Sequence, residues 1–104
     1  MNATPEYRFE WNADKARTNR QKHKVSFPTA STVFRDALAI TVYDDEHSNE
    51  GDQRWVTIGQ ASSGQTLVVV HTFEALDATR IELRLISARK ADRQELRDYE
   101  QAPR

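Results

Sequence analysis

Apolar and polar residues alternate over residues 7–11, with Tyr7, Phe9 and Trp11 on one side, and this two-residue period predicts a short first strand. Asn12 then stands where a helix over residues 13–23 needs an N-cap, but the apolar stripe of that helix is thin. It is expected at the surface, with its cations in water. Ser26 caps a second helix, in which Phe27, Ala30, Val33 and Phe34 recur at near-helical spacing. Pro28 fits its first turn, where backbone N–H groups have no intrahelical partner.

Leu38, Ile40 and Val42 alternate with Ala39, Thr41 and Tyr43 and predict a half-buried strand. After an acidic loop, residues 53–59 give the next strand, in which Arg54 shares a face with Val56 and Ile58 and opposes Trp55 and Thr57. Ser62, Ser63 and Gly64 mark a turn. Residues 66–73 form the most apolar run and read as the central strand. A further turn falls at residues 75–78, and residues 79–88 are the last long strand. Asp92 with Glu95 three positions on predicts a capping box for a final helix carrying Leu96 and Tyr99. The expected order is β-α-α-β-β-β-β-α, an α+β fold. Short links favour a mainly antiparallel sheet, with the helices packed on one face. The 104 residues fit one domain with a core at about 7–101, frayed before Pro5 and after Gln101.

A formal net charge of −1 hides a segregated distribution. Lys15, Arg17, Arg20, Lys22 and Lys24 form a run without acids, and Asp44, Asp45, Glu46, Glu50 and Asp52 a run without cations. Arg80, Arg84, Arg89, Lys90, Arg93 and Arg97 make the last quarter basic. Local fields of this kind steer ligands even when the sum is near zero. The chain has no cysteine, which excludes disulfides and thiol chemistry. The absence of cysteine makes a cytoplasmic location the expected one; the chain's first residues lack the apolar core of a signal peptide, and no window suggests a membrane span. The three histidines show no metal-ligand spacing, and neither metal nor cofactor is expected.

The succession Phe9-Glu-Trp11, Lys22-His-Lys-Val-Ser-Phe27, Val33-Phe34, Arg54-Trp-Val-Thr-Ile-Gly59, Leu67-Val-Val-Val-His-Thr72, Ile86-Ser-Ala-Arg-Lys-Ala91 and Tyr99-Glu100 resembles the BrnT toxins of type II toxin–antitoxin systems. The order and spacing of these pieces, more than any one of them, carry the resemblance. It implies a RelE-like ribonuclease fold, RNA cleavage that inhibits translation, and neutralisation by a BrnA-like antitoxin, through which alone the complex contacts DNA. Three positions depart from the family pattern. Lys24 stands where Gly is usual and calls for a different helix ending, Pro28-Thr29 replaces an acidic segment, and Asp92 replaces Thr or Ser.

Cleaving RNA without a metal requires a base for the 2′-OH, an acid for the leaving oxygen and cations for the crowded phosphorus. Arg89 is the leading candidate, at a strand end beside a helix N-terminus, against a simpler role in an ion pair with Asp92 or Asp44. Arg54, Arg84, His71 and Tyr99 complete the catalytic candidates. Three of these have a structural alternative: a sheet-edge cation for Arg54, a core histidine for His71, a core phenol with its hydroxyl at the rim for Tyr99. Lys22, His23, Trp55 and Lys90 are candidates for RNA contact, against solvated, capping or core roles. Glu95 most simply completes the capping box, and His47, in the acidic loop, is expected only to be solvated. The competing reading of the whole chain is a non-catalytic RNA-binding module or an antitoxin-bound co-repressor.

Overall fold

In a computed structural model the chain is described over residues 5–103, so the expected fraying before Pro5 lies outside the described residues. Strand β1 (Glu6–Glu10) leads into α1 (Ala13–His23), α2 (Phe27–Ser31) and a 3₁₀ turn (Thr32–Arg35). Then come β2 (Ile40–Tyr43), β3 (Trp55–Gln60), β4 (Thr66–His71), β5 (Glu74–Ala75), β6 (Arg80–Lys90) and α3 (Arg93–Gln101). The sheet runs β1-β6-β4-β3-β2, with β5 also paired to β6. All pairings are antiparallel except β1 with β6.

The caps form as the sequence predicts. Asn12 accepts from the backbone N–H of Asp14 and Lys15 at 2.9 and 3.1 Å. Ser26 accepts from Thr29, and Asp92 and Glu95 exchange the two bonds of a capping box. Lys24 departs from expectation. It takes the left-handed conformation (φ 61°, ψ 28°) in which Gly is usual, and is the one non-glycine residue with positive φ among the described residues. Closing the helix onto Arg20 O outweighs the strain of placing a side chain there.

One face of the sheet packs against α1, α2 and the 3₁₀ turn. Leu67 and Val69 of β4 and Leu85 and Ala88 of β6 meet Val25, Phe27, Ala30 and Val33 in a continuous apolar core. Gly59 lets β3 approach this layer closely, since a Cβ there would lie 3.1 Å from Ala39 Cβ and 3.2 Å from Val33 Cβ. The buried Asn19 ties α1 to the sheet edge. Its amide donates to Ala88 O and Val25 O at 2.8 and 3.0 Å and accepts from Ala88 N at 3.0 Å. A side chain thus stands in for a neighbouring strand where β1 has ended.

Four expectations are corrected. The turn near residues 75–78 begins as a two-residue strand, β5, because Glu74 and Ala75 add to the exposed side of β6. The second helix does not run through Phe34 but tightens into the 3₁₀ turn. The second predicted strand starts at Ile40, and Leu38 lies in a preceding turn whose backbone binds Asp36. Nor do all helices share one face. Residue Arg89 lies opposite in sense to Ala88, and its ion pair with Glu95 holds α3 on the other side of the sheet.

Strand β6 also carries an irregularity. Val70 pairs with Ser87 but the next residue, His71, pairs with Leu85, so Ile86 is an extra residue in β6. Before it, Leu83 and Leu85 face the core; after it, Ala88 does.

Candidate functional site

The face not covered by α1 and α2 holds a hollow of about 380 Å³ lined by Asp44, His47, Arg54, Val56, Val68, Val70, Ile86, Ser87, Arg89 and Glu95. Strand alternation builds its floor. Val56 of β3 and Val68 and Val70 of β4 point away from the core because their neighbours Thr57, Leu67 and Val69 point into it. Arg54 continues the Val56 side of its chain, and Arg89 stands across from Val68. Two guanidinium groups far apart in sequence therefore border one apolar patch, where a phosphate would meet charge with reduced water screening.

Both arginines are held by carboxylates. Arg89 donates from its two terminal nitrogens to the two oxygens of Glu95, each at 2.7 Å. That fork raises the proton affinity of Arg89 and lowers that of Glu95. Glu95 also accepts from Asp92 N at 2.9 Å, so one carboxylate caps α3 and clamps the arginine. Arg54 donates from Nε and one terminal nitrogen to Asp52 Oδ2, at 3.1 and 3.0 Å. The same carboxylate meets Arg84 at 3.5 Å through Oδ1, which ties Arg84 to the margin of the site.

Of the catalytic candidates, the fold brings Arg54 and Arg89 into the hollow and Arg84 beside it. It does not bring His71. That residue is 1 % exposed, its ring packs edge-on against Phe34 at 4.9 Å, and it faces the core. Its Nδ1 donates to Thr72 O at 2.9 Å, and its Nε2 lies 2.7 Å from Thr57 Oγ1, itself 2.7 Å from Thr41 Oγ1. Burial lowers its proton affinity, offset in part by the Thr72 bond. This is the core histidine that its strand pattern favoured. Tyr99 is likewise elsewhere: its hydroxyl donates to Asp36, where it anchors α3 against the loop before β2.

Among the RNA-contact candidates, Lys22 and His23 line a groove between α1 and β6 that shares Ile86 and Ser87 with the hollow. Trp55 is on the other face, in an aromatic group with Tyr43 and Phe73 at centroid distances of 5.0 and 6.4 Å. Lys90 is exposed and opposite in sense to Arg89. Sequence reading took His47 as merely solvated and Asp44 only as a possible ion-pair partner of Arg89; Arg89 pairs with Glu95 instead, and both Asp44 and His47 border the hollow. A 3.0 Å contact joins His47 Nδ1 to Asp44 Oδ2. Their spacing of three within an acidic loop was the available signal, but a loop gives no periodicity from which to infer contact. Among the described residues no three His, Asp or Glu side chains cluster as metal ligands would. None of their helices is long and apolar enough to cross a membrane.

The mainly antiparallel sheet thus carries cationic side chains around a hollow on its open face. A sequence model of the family described as "Ribonuclease toxin, BrnT, of type II toxin-antitoxin system" matches residues 11–95, and the chain belongs to that family. Its fold is similar to the 1.1 Å crystal structure of the Brucella abortus ribonuclease toxin, BrnT. The TM-score is 0.53 at 22% identity, over 80% of this chain and 94% of that one. No curated protein matches the chain in sequence.

Proposed function

We propose that the chain is a metal-independent endoribonuclease whose open-face hollow holds the scissile phosphodiester, with Arg54 and Arg89 as its phosphate-binding groups and Arg84 beside them. RNA reaches it along the α1–β6 groove, past Lys22 and His23. Cleavage would inhibit translation in the cytoplasm, and a BrnA-type antitoxin, which also carries the DNA contact, would neutralise the toxin by covering this face. A RelE-like fold, as the family resemblance implies, accords with this use of the sheet. The observation that carries the reading is the convergence of Arg54 and Arg89 on one apolar patch.

The test is incubation of purified protein with RNA in EDTA. Cleavage is expected to persist in the parent and to fall by about 10²–10³-fold in a folded Arg89→Ala variant, the usual cost of removing one preorganised charge donor. RNA that is retarded on a gel, with a steep salt dependence, and never cut would instead favour the non-catalytic binding or co-repressor reading.

A further inference from the structure

Cleavage by an internal hydroxyl needs a group that removes the 2′-OH proton, and neither arginine of the hollow can do so, since guanidinium stays protonated. Glu95 is a poor choice because both of its oxygens already accept from Arg89. Asp52 is committed to Arg54 and Arg84 in the same way. Of the three histidines, all among the described residues, His71 is sealed in the core and His23 lies in the neighbouring groove. His47 borders the hollow itself.

The loop that carries His47 is closed at its neck. The Ser48 hydroxyl donates to Asp44 O at 2.5 Å and accepts from Arg54 N at 2.8 Å, while Asp44 N donates to Arg54 O at 2.9 Å. His47 N donates to Asp44 Oδ1 at 3.2 Å. The neck therefore sets His47 and Arg54 in fixed relation. Asp44 is largely enclosed, its side chain 16 % exposed, whereas the His47 side chain is 66 % exposed. Both oxygens of Asp44 lie within 3.1 Å of His47 Nδ1. A carboxylate only accepts, so Nδ1 carries the hydrogen, and the neutral ring keeps Nε2 as a proton acceptor. The same division of labour, a carboxylate fixing the tautomer of a histidine base, operates in hydrolytic triads.

We infer that His47 is the general base of the reaction and Asp44 its positioning residue; this rests on the hollow being the RNA site. His47 Nε2 takes the proton of the ribose 2′-OH as the 2′-oxygen bonds to phosphorus. The P–O5′ bond breaks, its electron pair stays on O5′, and O5′ takes a proton from water. The products are a 2′,3′-cyclic phosphate and a 5′-hydroxyl, and the imidazolium returns its proton to solvent. Arg54 and Arg89 stabilise the charge that gathers on the non-bridging oxygens.

The experiment compares the parent, His47→Ala, His47→Gln, Asp44→Asn and Arg89→Ala in two assays: single-turnover cleavage of a labelled RNA oligonucleotide in EDTA, and binding of its uncleavable 2′-deoxy analogue. Both His47 variants are expected to lose about 10²–10⁴-fold in cleavage, the span typical of a lost general base, with binding unchanged. Free imidazole should restore part of the rate to His47→Ala, and Asp44→Asn should lose less than either His47 variant. Cleavage at the parent rate in His47→Ala, or a loss fully explained by weaker binding, overturns the assignment. If that happens while Arg89→Ala still fails to cleave, the hollow stands as the site and only His47 is dismissed. If Arg89→Ala cleaves like the parent, the hollow itself is dismissed, and His47 with it.

Discussion

His71 and His47 stand on opposite sides of one sheet and put the same side chain to opposite uses. Around His71 every polar atom is spoken for: a chain of hydrogen bonds runs Thr41–Thr57–His71–Thr72, and Phe34 closes the ring off from water. Burial then disfavours the imidazolium. Around His47 a single enclosed carboxylate holds one nitrogen, and most of the ring is exposed. The first arrangement spends the imidazole on cohesion, and the second leaves it able to exchange protons. Strand periodicity draws attention to the first because it lies on an apolar stripe. It says nothing of the second, because contacts inside a loop depend on where its neck is pinned.

The largest expected effect comes from neighbours on opposite faces. Arg89→Ala should lower cleavage by about 10²–10³-fold, whereas Lys90→Ala should leave single-turnover rates close to the parent. Equal losses would break the separation of the faces. Next, His71→Ala should destabilise the fold by about 2–4 kcal/mol, through a cavity and an unsatisfied Thr57 hydroxyl. Urea unfolding measures that, and the cleavage rate per folded molecule should not change. Asn19→Ala, by leaving Ala88 and Val25 backbone groups buried without partners, should cost about 1–3 kcal/mol in the same assay.

The pH dependence of stability gives a finer test. The folded-state pKa of His71 lies below the ordinary 6.5, so the unfolded chain binds more protons as pH falls past that value. Its stabilising contribution is complete above pH 6.5 and declines as pH drops toward the folded-state pKa, by at most about 1.4 kcal/mol per pH unit. Denaturation midpoints between pH 7 and pH 5 should show the decline, and a folded His71→Gln variant should lack it. The smallest effect is a gain: Lys24→Gly should raise stability by up to about 1 kcal/mol, by relieving the left-handed backbone. A fall in the melting midpoint would show that the Lys24 side chain contributes more than its strain costs.

Much of the fold was legible because local chemistry and tertiary structure agree. Asn12, Ser26 and Asp92 cap where their positions say they should, and β4 reads as central because Leu67, Val68 and Val69 are apolar on both faces. What escaped depended on distance. Asn19 looks like one polar residue on a polar helix until Ala88 is brought beside it. The position of α3 was missed because nothing local says which side of the sheet a helix returns to; the Arg89–Glu95 pair decides it. Of the site, Arg54 could be singled out as a cation on an apolar stripe and Arg89 by its strand-to-helix junction. Strand alternation already set Trp55 opposite Arg54, but its aromatic neighbours Tyr43 and Phe73 could be named only once β3 had been placed in the sheet.

The inserted Ile86 has a consequence for where charge meets solvent. Arg84 and Arg89 are an odd number of positions apart, and on an unbroken strand they would emerge from opposite surfaces. The one-residue slip in phase puts both on the same surface as Arg54. Deleting Ile86 would shorten the protein by a single peptide unit and leave its charge untouched. Yet it would force either a guanidinium into the oil or a whole strand out of register.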